Sequence, residues 1–65
     1  MKELDVVELV DDLPENGLKA GETGTIVHEH TKPRHAYMVE FIDSDGITTA
    51  MVTLLPDQVR LHWSA

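Results

Sequence analysis

Thr23-Gly-Thr-Ile-Val-His-Glu-His30 and Ala36-Tyr-Met-Val-Glu-Phe-Ile-Asp43 decide the fold. Both stretches are rich in β-branched and aromatic residues and are bounded by turn formers, so each reads as a strand. Thr31-Lys-Pro-Arg34 between them reads as a four-residue hairpin connection, with Pro33 at its tip where no ladder hydrogen bond is lost. In the simplest register His30 faces His35, His28 faces Tyr37, Ile26 faces Val39 and Gly24 faces Phe41. That register gathers Ile26, Val39 and Phe41 on the buried face and leaves Val27, Met38 and Glu40 on the other.

Upstream, Leu4, Val7, Val10 and Leu13 would line one face of a helix. Two features oppose it: Val6-Val7 and Leu9-Val10 put apolar, largely β-branched residues on every side, and Pro14-Glu-Asn-Gly17 is turn chemistry. A strand over Asp5–Val10 is therefore expected. Asp11–Glu22 follows as a long loop, anchored to the core by Leu13 and Leu18. Downstream, Asp43-Ser-Asp-Gly46 predicts a tight turn with Gly46 at positive φ, and Ile47–Leu55 a fourth strand. Pro56-Asp-Gln58 fits a turn or one turn of 3₁₀ helix, and Val59–His62 a short closing strand followed by Trp63. The expected fold is all-β: a small SH3-like five-stranded barrel, one domain over residues 1–65, with a long first loop and one 3₁₀ turn before the last strand.

Length and charge narrow the function. A chain of 65 residues buries about 60% of the surface it exposes when unfolded, so its core is thin. Twelve acidic residues against five Lys and Arg give a formal charge of −7. That balance argues against nucleic acid and anionic membranes as partners, because binding to either begins with cations neutralising phosphate. The absence of cysteine excludes a disulfide framework or a zinc ribbon and fits a reducing, cytoplasmic setting. No apolar run approaches the length needed to span a bilayer.

The stretch Asp5-Val-Val-Glu-Leu-Val-Asp-Asp-Leu-Pro-Glu-Asn-Gly-Leu-Lys-Ala-Gly-Glu-Thr-Gly-Thr-Ile-Val27 resembles the opening of a family of small bacterial proteins catalogued as domain of unknown function 4926. Tyr37-Met-Val-Glu-Phe41, the acidic-Gly turn and the closing Leu-Pro-Asp-Gln-Val-Arg60 resemble it too, so the likeness runs from about residue 4 to residue 61. It carries no established activity. Such proteins occur beside other small genes, including toxin or immunity partners, which implies a protein-binding role. Gly21-Glu-Thr-Gly-Thr-Ile-Val27 is also similar to the turn of KOW-type SH3-like domains that bind RNA. Those domains present a basic face, whereas Glu3, Asp5, Glu8, Asp11, Asp12, Glu15 and Glu22 crowd the first third of this chain.

Three groups of residues invite a chemical role. His28, His30 and His35 share a face in the simplest register and could ligate Zn, Ni or Cu through imidazole nitrogen, or act as a pH-sensitive tip beside Lys32 and Arg34; a solvated turn is the plainer alternative. Asp43-Ser-Asp-Gly46 begins like a calcium loop but lacks the Glu at the twelfth position. Asp11, Asp12 and Glu15 would serve as acid and base only within a cleft, and there is no Cys nucleophile and no helix opened by a Gly-rich phosphate cradle. The expectation is thus a non-enzymatic protein-interaction module without cofactor, antitoxin- or immunity-like, monomeric or homodimeric. Its expected partner-binding residues are Asp11, Asp12, Glu15, Val27, Met38 and Glu40, and the expected partner is a basic protein. The rival is a metal- or pH-responsive accessory protein working through His28, His30 and His35.

Overall fold

A computed structural model describes residues 1–65. Five strands run in chain order: β1 (Val6–Leu9), β2 (Thr23–His30), β3 (Ala36–Ile42), β4 (Thr48–Leu54) and β5 (Val59–Trp63). Two single 3₁₀ turns, Pro14–Asn16 and Pro56–Gln58, interrupt the connections. All strands are antiparallel and form one sheet in the order β4-β3-β2-β1-β5, so the last strand returns beside the first. The all-β expectation holds, with strand limits within a residue or two of those read from the sequence. The expected barrel is not closed by hydrogen bonds, because β4 and β5 are the two edges and no ladder joins them.

A lone sheet can bury an apolar face only by bending over itself, and every strand contributes to a single core. Val7, Leu9, Ile26, Tyr37, Val39, Phe41, Leu54 and Val59 form it, with Leu18 from the first loop and Leu13, Ala50 and Val52 packed against it. Gly24 marks the closest approach. A β-carbon there would stand 2.7 Å from Val39 Cγ1 and 2.8 Å from the Glu40 carbonyl oxygen.

The register corrects the simplest pairing. Ile26 does face Val39, but beyond it a bulge extrudes Val27, and His28 pairs with Met38, Glu29 with Tyr37 and His30 with Ala36. The connection consequently runs over Thr31–His35, one residue longer than the sequence suggests. Adding one residue at the tip would flip every side chain of the hairpin, and the bulge restores the alternation so that Ile26 stays inside.

Asp5 is the one buried charged residue, lying just before β1 rather than within it. Its carboxylate accepts the Ala65 N–H (3.0 Å) through Oδ1 and the Lys2 N–H (3.0 Å) through Oδ2, tying both ends of the chain to the sheet. The Ala65 bond foremost, with the Lys2 bond and nearby cationic charge against the opposing effect of burial, holds this carboxyl below its ordinary value. The preceding Leu4 adopts a left-handed φ of 74°, and its N–H donates to the Ile26 carbonyl at 2.7 Å.

Candidate functional site

The first loop is built by its own main chain. Leu13 and Leu18 exchange N–H···O bonds of 2.9 and 3.1 Å, enclosing the 3₁₀ turn that Pro14 starts and Gly17 ends. Gly17 sits at φ 70°, where a side chain would be strained. Further back, the Leu9 N–H donates to the Glu22 carbonyl and the Gly21 N–H to the Leu9 carbonyl, both at 2.9 Å. Leu18 is buried and Leu13 half-buried, as expected of anchors.

This construction divides the loop carboxylates into two kinds. Asp12 accepts the Ala20 N–H at 2.8 Å and Glu22 the Lys19 N–H at 2.6 Å, so both lock the loop. Asp11 and Glu15 are exposed and hold no side-chain hydrogen bond or ion pair within the chain. Beside them a shallow depression of about 280 Å³ is lined by Asp12, Pro14, Gly17, Leu18 and Lys19. The depression is open to solvent, with Asp12 and Lys19 as its charged lining residues.

Val27, Met38 and Glu40 lie elsewhere. Met38 sits between His28 and Thr53 on the outer face of the sheet, and Glu40 between Thr25 and Met51, where its carboxylate accepts the Thr48 hydroxyl at 2.7 Å. Val27 occupies the bulge, and all three are half-buried rather than exposed. From Glu22 to His28 the strand advances roughly 20 Å at about 3.3 Å per residue. The acidic loop and Met38 therefore do not form one patch. Other large apolar side chains do face solvent, among them Met51 (54% exposed), Trp63 (60%), Ile42 and Ile47. Ile47 and Met51 have a signal in the sequence, the run Gly46–Pro56 without Asp, Glu, Lys or Arg.

The bulge also separates the histidines, contrary to the expected shared face. His28 and His30 lie with Met38 and Ala36, their rings edge to face at 4.5 Å between centroids. His35 turns to the opposite side, where Nε2 lies 2.7 Å from Glu29 Oε2 and the ring rests 4.8 Å from that of Tyr37. Burial, and then the charge of Glu29, pushes the Tyr37 phenol above its ordinary value. No group of three or more His, Asp or Glu side chains is arranged to hold a metal ion. The other ion pair, Arg60 Nε to Glu8 Oε1 at 2.9 Å, crosses from β5 to β1.

No helix is long and apolar enough to cross a membrane. No curated protein and no solved structure matches the chain. One family model does, over residues 3–61, spanning all five strands as far as Leu61 and the whole first loop. The chain belongs to the family described as Domain of unknown function (DUF4926).

Proposed function

We propose that this protein is a non-enzymatic interaction module of the cytoplasm that binds a basic protein, in the manner of an antitoxin or immunity protein neutralising its target. The observation that carries the reading is the pair Asp11 and Glu15, two carboxylates without intrachain partners on a loop that its main chain holds in place. Charges presented on an ordered loop lose little conformational entropy when a partner meets them, so more of the contact energy survives as affinity. The net charge of −7 speeds encounter with a cationic surface, and the affinity should weaken with salt. Asp12 contributes charge as well as holding the loop, whereas Val27, Met38 and Glu40 enter as a separate, half-buried part of the sheet.

The test is capture of partners by the tagged full chain at low and high salt, beside the double variant Asp11→Lys/Glu15→Lys. Asp12 is left alone because its loss would loosen the loop. The reading expects one basic protein, retained at low salt and lost both at high salt and with the variant. Equal retention by the variant would overturn it.

A second reading rests on the His28–His30 contact, since two protonated rings 4.5 Å apart repel. If acid releases the partner, and His28→Gln/His30→Gln abolishes that release, the hairpin tip regulates binding. If release is the same in both, it does not.

A further inference from the structure

Each edge of the sheet leaves one side of a strand without a ladder, and the two edges differ. β5 carries Arg60, which is paired to Glu8, and ends in His62 and Trp63. β4, Thr-Thr-Ala-Met-Val-Thr-Leu, is the one strand with no Asp, Glu, Lys or Arg, in a chain where 26% of residues are charged. Its main chain bonds to β3 alone. None of the turn, loop and cap hydrogen bonds engages the main chain of Thr48–Leu54, so alternate residues direct N–H and C=O groups outward. Edges of this kind are ordinarily blunted by charge, proline or a covering segment, and β4 has none of these within its length.

We propose that the free edge of β4 is a strand-addition site for an extended partner segment of alternating apolar residues flanked by Lys or Arg. The inference rests on the reading of the protein as an interaction module and assigns it a second contact surface. Main-chain bonds to β4 would supply affinity, and Met51 on the outer face and Val52 toward the core would meet alternate side chains of the guest. The flanks select the partner's charge. Asp43 and Asp45 stand before β4 and Asp57 just after it, so both ends of an added strand meet carboxylates. The same flanks disfavour a second copy of this chain. Antiparallel self-pairing centred on Met51 brings Asp45 toward Asp57 of the second copy, at both ends by symmetry, and opposed like charges destabilise a ladder.

The test uses the isotope-labelled full chain and a synthetic peptide of alternating valine and threonine closed by two lysines at each end, with a counterpart closed by glutamates. The lysine peptide is expected to shift the amide resonances of Thr48–Leu54, to slow exchange at alternate β4 amides, and to bind about tenfold more tightly than the glutamate peptide at low salt. Met51→Lys should weaken the lysine peptide about tenfold with the β1–β3 resonances unchanged. Should Met51→Lys disturb those resonances, Thr53→Lys, also exposed, makes the same test. Equal binding of the two peptides, shifts centred on β5 or on Asp11–Glu22, unaltered binding by a folded lysine variant, or a β4-paired dimer of the protein alone would each overturn the proposal. The two readings fail separately. A partner lost with Asp11→Lys/Glu15→Lys but kept in full by Met51→Lys leaves the interaction module standing and removes the β4 site.

Discussion

The two ends of β2 obey different rules. At its start, Gly24 lies against Val39 and Phe41 with no room for a methyl group, and the preceding loop is fastened by Leu18 and by main-chain bonds on both sides. At its other end, past the Val27 bulge, His28 is exposed and the connection Thr31–His35 is steadied by the side chain of its last residue alone, His35, against Glu29 and Tyr37. Both connections look alike in composition, each with a proline and charged residues. Apolar anchors make the difference: Leu13 and Leu18 lie within the first loop, while Thr31–His35 contains no Leu, Ile, Val, Met or Phe. A polar loop keeps one shape when a few of its side chains reach the core.

The sharpest way to break this contrast is Leu18→Ala. Loss of a buried leucine should cost about 2–5 kcal/mol, read from urea denaturation, and amide exchange should accelerate across Asp11–Glu22. Gly24→Ala comes next, at about 1–3 kcal/mol, because the Glu40 carbonyl at 2.8 Å is main chain and cannot swing aside. Asp12→Ala removes the bond to the Ala20 N–H and should cost about 0.5–1.5 kcal/mol, with changes confined to the loop. At the far end, Glu29→Gln should cost no more than about 1 kcal/mol, since solvent reaches both partners of the pair. A Glu29→Gln loss larger than that of Leu18→Ala would reverse the comparison.

Asp5 supplies a control outside both ends. Its carboxyl is held below the ordinary value of 3.8, so the folded state binds its proton less readily than the unfolded chain. The stability it confers is in place above that value and is lost as pH falls through the lower folded one. Asp5→Asn should therefore flatten the acid limb of a stability profile below 3.8, while Glu29→Gln should leave the Asp5 part of that limb intact.

Parts of the candidate site were legible because charge declares exposure. Asp11, Asp12 and Glu15 lie at the surface as their types require. That Asp12 is a lock and Asp11 is free depends on where Ala20 lies, eight residues along, which turn chemistry does not specify. The histidines misled for a related reason. Their spacing puts them on one face only if the ladder is regular, and a single extruded residue undoes it. Asp5 gave no local sign of burial, as its partner Ala65 is distant in the chain.

By itself the sequence determined what short-range physics controls: five strands from β-branched alternation, turns at Asp43–Gly46 and Pro56–Gln58, and Leu13 and Leu18 as anchors. The tertiary structure alone decided the bulge at Val27, the parting of His28 and His30 from His35, and the exposure of β4 as an uncharged edge. The physical reason is that alternation has a period of two wherever the extra residue is placed. Only packing Ile26 against Val39 while the longer connection closes selects Val27, and that is a property of two strands together.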